Sequence, residues 1–152
     1  MTQYLLVRRV RDEISGVEVK ELDVYMPIPR LACELEDGRV FYLERVPYDI
    51  VLFVKKQNGE AIDDDRERLG DLLASMPEVL EALGRHVKRV LIEDFDEARG
   101  VYSAYVEFND GNVTLRRKMV PSHAIFLALL VGKPIYVRRE LVDEQEAFYR
   151  EH

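Results

Sequence analysis

The feature that most constrains the fold is an internal repeat. Both copies contain a turn, a strand, a Val-Pro pair that opens a helix, and a closing glycine. The turn, the Val-Pro pair and the closing glycine are Asp37-Gly38, Val46-Pro47 and Gly59 in the first copy. In the second copy they are Asp110-Gly111, Val120-Pro121 and Gly132. Such self-similarity indicates one supersecondary unit used twice. It predicts two β-hairpin–strand–helix units, at approximately residues 31–59 and 101–137.

The other elements are predicted from hydrophobic periodicity and turn residues. Strands are predicted over 4–11, 17–26, 31–35, 39–44, 87–95, 101–108, 113–119 and 135–137. Helices are predicted from Pro47, after Asp63-Asp64-Asp65, from Pro77 to Gly84, from Pro121 and over 140–150. Ser15-Gly16 is predicted as the first turn, and Pro27 and Pro29 as strand breakers. Paired strands between single helices favour one α+β domain over 1–152, with a mixed or antiparallel β core and flanking helices.

Composition narrows the possible functions. Lys and Arg number 22 against 29 Asp and Glu, a net charge of −7, which disfavours a protein that mainly coats nucleic acid but allows a local basic cleft. The lone cysteine, Cys33, excludes an internal disulfide and is expected to be a small buried apolar residue. The sequence has no apolar run of about 18 residues. We therefore expect a cytoplasmic protein without a membrane span.

Two segments carry a family resemblance. The stretch Pro121-Ser122-His123-Ala124-Ile125-Phe126-Leu127-Ala128-Leu129, followed by Gly132-Lys133-Pro134-Ile135-Tyr136-Val137, is similar to P-S-D-A-I-A-L-A-L and G-x-P-I-[FY]-V. Val79-Leu80-Glu81-Ala82-Leu83-Gly84 is similar to L-L-E-A-L-G, and Val87 to Asp94 follows V-x-R-V-x-I-x-D. These motifs resemble the bifunctional nuclease (BFN) family, over about residues 38 to 144. The resemblance implies a nuclease, a duplicated β-rich fold and a homo-oligomer.

The chain departs from the family pattern at three places. Residues 41–46 lack the proline and glycine of the family's L-P-I-x-I-G. A charged stretch from Asp63 replaces a polar motif with a Thr-His-Asp core, and His123 replaces the aspartate of P-S-D-A. These departures leave open a catalytically degenerate oligomeric module of the same fold that binds a partner or regulates one. A regulatory scaffold attached through helix 140–150 is a third possibility.

Phosphodiester hydrolysis commonly uses a divalent metal held by carboxylates. Asp94 matches the family strand. Gly38 to Asp49 is a third, weaker match, to the family's G-R-V-L-P-I-x-I-G-x-x-E-A, with Asp49 at the acidic position. The resemblance therefore implies that both carboxylates are ligands of Mg²⁺ or Mn²⁺. Asp49 and His123 are the predicted catalytic residues, with His123 as acid or base. Ser122 lies at a helix start, where free backbone N–H groups can receive phosphate. The structural alternative is that Ser122 caps the helix while His123 lies on the surface or at a subunit contact.

Three cations complete the predicted nucleic-acid site. Lys55, Arg116 and Lys118 would bind phosphate if they share one face of the fold. The structural alternative treats them as surface charges paired with the acidic residues of this chain. The first hypothesis is therefore a nuclease acting on DNA or RNA.

Overall fold

The computed structural model describes residues 1–19 and 24–152, and each half of the chain contributes three strands and a helix. The first half contains β1 (Tyr4–Val19), β2 (Val24–Leu35), β3 (Val40–Leu43) and α1 (Tyr48–Gln57). The second contains β4 (Val87–Asp96), β5 (Val101–Asp110), β6 (Val113–Met119) and α4 (Pro121–Val131). Between the halves lie α2 (Leu69–Ala74) and α3 (Pro77–His86), and β7 (Ile135–Arg138) and α5 (Arg139–Glu151) end the chain.

The two halves of the sheet have the same strand order. Its strand order is β3-β2-β1-β7-β4-β5-β6, so each half is an antiparallel three-stranded block, and the two blocks run outward from β7 in the same order. The central strand β7 pairs antiparallel with β1 and parallel with β4. The sheet is therefore mixed. In the described part of the chain, helices flank this mixed sheet, which confirms the predicted α+β class.

The core lies where α1 and α4 pack against this sheet and against each other. Five consecutive residues of α1, from Ile50 to Val54, are buried, so the middle of this helix is covered on all sides. Burying each large aliphatic or aromatic side chain contributes roughly 1.5–3 kcal/mol. Phe41 of β3 contacts Tyr102 of β5 edge to face at 5.0 Å, although four strands separate them in the sheet order. The sheet is therefore strongly curved around the hydrophobic core.

Helix α5 completes the enclosure on the side of β3. Leu141 and Val142 are buried, and the Gln145 side chain bonds the backbone of Tyr42 twice. Its Oε1 accepts from the Tyr42 N–H at 2.8 Å, and its Nε2 donates to the Tyr42 carbonyl at 2.9 Å. Because β3 is an edge strand, this amide satisfies backbone groups that no further strand pairs.

Several local predictions are confirmed. The turn between β5 and β6 uses Gly111 at φ 64°, and α4 ends at Gly132 in the left-handed conformation, φ 69°. Cys33 is fully buried, and burial raises the pKa of its thiol to about 12.

Among the described residues, none of the helices has the length and apolar character needed to cross a bilayer.

The first hairpin differs from its prediction. Ser15-Gly16 is not a turn, because β1 continues through it to Val19; residues 20–23 of the predicted strand 17–26 lie outside the described residues. Pro27 and Pro29 lie within β2, paired with β1. They are tolerated because β3 pairs only with Leu31–Glu34 of β2, so at the prolines one side of the strand is an edge.

Two helix boundaries also differ. Gly84 does not end α3, which continues to His86, because this glycine is buried against Val131 of α4 and tertiary packing outweighs its low helix propensity. The helix expected after Asp63-Asp64-Asp65 begins only at Leu69. Instead, Asp64 accepts hydrogen bonds from Arg66 and Arg68, which holds the preceding segment in a loop.

Candidate functional site

The first turns of α1 and α4 meet at one cavity of about 450 Å³, which we call the His123 cavity. Its polar residues are Asp49, Lys56, Arg68, Asp71 and His123. Its apolar wall consists mainly of residues from α1, α2 and α4: Ile50, Leu52, Phe53, Leu69, Gly70, Met119, Phe126 and Leu127. The sequence predicted that Asp49 and His123 occupy matching places in two related helices. The structure brings these two residues to the same cavity.

The local sequence explains how the two helices begin. The Pro47 carbonyl accepts hydrogen bonds from Ile50 and Val51, and the Val120 carbonyl accepts one from Ala124. Proline presets the dihedral angle φ that a helix start requires. Asp49 and His123 each follow the proline by two residues, so both lie in a first turn.

An aromatic pair brings α2 to this cavity. Phe53 of α1 and Phe126 of α4 contact edge to face at 4.7 Å between ring centroids. A Cβ atom on Gly70 would lie 2.9 Å from a carbon of each ring, so α2 approaches this closely only with glycine there. That contact places Arg68, the residue just before α2, in the cavity wall.

The polar rim of the cavity is a chain of ion pairs. Arg68 Nε donates to Asp49 at 3.0 Å and Arg68 Nη2 to Asp64 at 2.9 Å. Lys56 Nζ lies 2.9 Å from Asp71, which also accepts from the Arg68 backbone N–H at 2.9 Å. The Arg68 N–H and then Lys56 lower the pKa of Asp71, and hydrogen bonds from Arg66 and Arg68 lower the pKa of Asp64.

Sequence reasoning did not identify Arg68 as a site residue. The alternation of acids and arginines from Asp63 to Arg68 indicates local ion pairs. It cannot show that the last arginine reaches Asp49, because that contact depends on how α2 packs against α1.

Ser122 belongs to a different cavity. It is 6% exposed and lines a groove of about 940 Å³, the Ser122 groove, with Lys118 in the same wall. The groove is lined by residues 42–45, 118–122, 95, 97, 99–103, 144, 145, 148 and 149. Adjacent helix residues point in directions about 100° apart, so Ser122 and His123 face separate spaces. Met119 lines both.

Asp94 lies in a cluster on β4 and β5. It accepts a hydrogen bond from Tyr105 Oη at 2.8 Å, and this bond raises the pKa of that phenol. Its neighbour Glu93 accepts from Tyr4 at 2.6 Å and pairs with Arg116 at 2.7 Å. The Arg116 guanidinium also lies 4.4 Å from the centroid of the Tyr105 ring. Asp94 and Arg116 therefore have partners of their own, apart from the His123 cavity.

The predicted metal ligands do not form one donor set. Asp49 pairs with Arg68, whereas Asp94 is bound by Tyr105. Within residues 1–19 and 24–152, no three His, Cys, Asp or Glu side chains are grouped closely enough to hold a metal ion. The described residues thus do not fit a metal shared by Asp49 and Asp94.

The three predicted phosphate-binding cations have three different settings. Lys55, in the last turn of α1, pairs with Asp12 of β1 at 2.7 Å, and this hydrogen bond raises the lysine pKa. Arg116 pairs with Glu93, and Lys118 lines the Ser122 groove. The roles predicted for these cations, the metal, the cytoplasmic location and the homo-oligomer all stay predictions.

Comparison with known proteins assigns the family. A search of curated proteins found no match to the chain. A comparison with protein families matches residues 55–150 to the bifunctional nuclease domain. The match covers more than half of the 152 residues and includes the start of α4 with Ser122 and His123. The chain therefore belongs to the bifunctional nuclease domain family.

Proposed function

We propose that this protein is a nuclease that hydrolyses phosphodiester bonds of DNA or RNA at the His123 cavity. The observation that carries the proposal is the convergence of Asp49 and His123, from corresponding turns of two helices, on one cavity. A carboxylate and an imidazole at one cavity can act as a general acid and base pair. Membership of the bifunctional nuclease domain family supports the choice of substrate.

The proposed reaction needs two proton transfers. Water attacks phosphorus, the bond from phosphorus to the leaving oxygen breaks, the water loses a proton and the leaving oxygen gains one. Asp49 takes the proton from water, and His123 gives one to the leaving oxygen. Imidazole suits this exchange because it commonly changes charge near neutral pH.

Divalent metal is a separate part of the hypothesis. Mg²⁺ is often held by one or two carboxylates together with phosphate oxygens and water, and Mn²⁺ suits the same oxygen ligands. Asp49 lines the His123 cavity and Asp94 does not. The proton transfers above are therefore assigned to Asp49 and His123 alone, without a metal held by Asp94. A dependence on Mg²⁺ or Mn²⁺ remains a prediction.

The test is cleavage of single- and double-stranded DNA and RNA by purified protein, with Mg²⁺, with Mn²⁺ and with chelator. Asp49→Asn and His123→Ala are each expected to slow cleavage about 100-fold or more, the usual contribution of a general acid or base. His86→Ala is the matched control, because His86 is an exposed histidine outside the cavity that contacts the Asn109 carbonyl. Asp94→Asn tests the predicted metal role.

Three results would count against the proposal. Cleavage that is equally fast with Asp49→Asn and His123→Ala would point to a contaminating nuclease. An equal loss with His86→Ala would mean that the loss does not depend on the cavity. Absence of cleavage on every substrate would remove the catalytic function.

A binding module without catalysis is the second candidate function. It is favoured by the aromatic side chains exposed along the Ser122 groove, among them Phe95, Phe148 and Tyr149. Aromatic faces can stack on nucleic-acid bases without hydrolysing the strand. Strand binding that is lost with Phe148→Ala, in a protein that cleaves no substrate, would favour this function.

A further inference from the structure

Arg68 occupies an unusual position at the His123 cavity. It lies one residue before α2, lines the cavity, and its side chain is 19% exposed. Its Nε donates to Asp49 and its Nη2 to Asp64. The same guanidinium is therefore shared between the proposed catalytic carboxylate and a carboxylate of its own loop.

The two carboxylates hold Arg68 in different ways. The Asp64 side chain is 18% exposed, and it also accepts hydrogen bonds from the backbone and side chain of Arg66. The Asp49 side chain is 78% exposed, and Arg68 is its ion-pair partner. Ion pairs with so exposed a member contribute little to stability. Asp64 thus holds the Arg68 side chain in place, whereas Asp49 is the acceptor that another anion can replace.

The guanidinium has hydrogen-bonding capacity left over. Among the described residues, the Arg68 Nη1 is buried and has no acceptor. A guanidinium carries five N–H groups in a planar fork that matches the oxygens of a phosphate. A phosphate that displaces Asp49 could accept the hydrogen bond from Arg68 Nε.

We propose that Arg68 is the phosphate-binding residue of the His123 cavity, and that a bound phosphate replaces Asp49 as the acceptor of its Nε hydrogen bond. This inference rests on the proposed function, whose substrate is a phosphodiester. The exchange has a consequence for the mechanism. It releases the Asp49 carboxylate from its ion pair at the moment when a phosphodiester is beside it.

The test compares binding of inorganic pyrophosphate by calorimetry, and of a fluorescein-labelled DNA oligonucleotide by anisotropy, in the presence of chelator. Arg68→Gln is expected to weaken both about tenfold or more, because a charge-assisted hydrogen bond is lost. Arg66→Gln is the matched control. Arg66 binds the same Asp64 but is 79% exposed and lies outside the cavity wall, so affinity should stay within about twofold.

A third variant tests the exchange itself. Asp49→Asn removes the charged competitor from Arg68 and is expected to tighten pyrophosphate binding roughly twofold to fivefold. Arg68→Lys keeps the charge but loses the planar fork, so its affinity should lie between those of wild type and Arg68→Gln. Arg68→Lys also serves as the decisive variant if thermal melting shows that Arg68→Gln does not fold.

The outcomes separate this inference from the nuclease proposal. Equal affinities of the Arg68 and Arg66 variants, no binding by the wild type, or weaker binding by Asp49→Asn would overturn the inference. Cleavage whose KM is unchanged by Arg68→Gln would overturn it while the nuclease proposal survives. Binding that depends on Arg68 in a protein that never cleaves would retain the phosphate site and remove the catalytic function.

Discussion

The close packing of α2 on the Phe53–Phe126 pair makes Gly70→Ala a stringent test of the cavity's construction. The added Cβ would lie 2.9 Å from a carbon of each ring, whereas carbon atoms in good contact are about 3.5–4.0 Å apart. Each ring would have to retreat by roughly 0.6 Å or more on this scale. Since the rings already contact each other, neither can move freely.

The magnitude follows from two opposing effects. Extra methyl groups in a packed core typically cost about 1–3 kcal/mol. Alanine in place of glycine regains up to about 1 kcal/mol in a helix. We therefore expect Gly70→Ala to lower the free energy of unfolding by roughly 1–2 kcal/mol, and Tm by about 2–8 °C for a chain of this size.

The matched control is Gly84→Ala. This glycine is also in a helix, but its added Cβ would lie 3.7 Å from Val131, an ordinary contact. Gly84→Ala should leave the free energy of unfolding unchanged or raise it by up to about 1 kcal/mol. Urea denaturation followed by circular dichroism measures both variants. A Gly70→Ala protein at least as stable as wild type would refute the tight packing that places Arg68 in the cavity.

Two further predictions concern other parts of the fold. Gln145→Met leaves the Tyr42 N–H and carbonyl of edge strand β3 without side-chain partners. It should lower the free energy of unfolding, measured by urea denaturation, by about 1–3 kcal/mol. The control is Glu144→Gln at the exposed neighbouring residue, which should lower it by at most about 0.5 kcal/mol. An equal effect of both changes would contradict the edge-strand role. Asp71 has a lowered pKa in the folded state, so the stability it contributes is present above a carboxyl pKa of about 3.9 and is lost as pH falls below it. The stability difference between wild type and Asp71→Asn should therefore shrink between neutral pH and roughly pH 3 in urea titrations; a difference independent of pH would exclude this linkage.

The convergence of Asp49 and His123 was predictable because its causes are local and occur twice. Each site residue follows by two residues a proline at the helix start, Pro47 for Asp49 and Pro121 for His123, and both prolines are visible in the sequence. Each helix follows a hairpin of the same order, so both helices pack on the same sheet. The separation of Ser122 from His123 also follows from helix geometry, since neighbouring residues point in different directions.

The setting of Asp94 was not predictable for a different reason. Its partner Tyr105 lies on the next strand, and the hydrogen bond depends on the irregular β4–β5 register between Ile92 and Asp94. Irregular pairing of this kind has no clear signal in one strand. The same holds for Pro27 and Pro29, which are compatible with a strand only because the adjoining strand is short.

The asymmetry between the two halves explains why the candidate site lies where it does. The repeat alone would place equivalent residues at the starts of α1 and α4, without distinguishing their roles. The segment between the halves breaks this equivalence, because it brings Arg68 to Asp49 and closes the cavity with α2. In the described part of the chain, no charged side chain pairs with His123. Its imidazole therefore lines the cavity without an ion-pair partner. In the proposed function, the two related helices supply the acid–base pair of Asp49 and His123. The charged segment before α2 supplies Arg68, which pairs with Asp49 and would bind the phosphate. Arg68→Gln should therefore alter substrate binding more than it alters the stability of the fold.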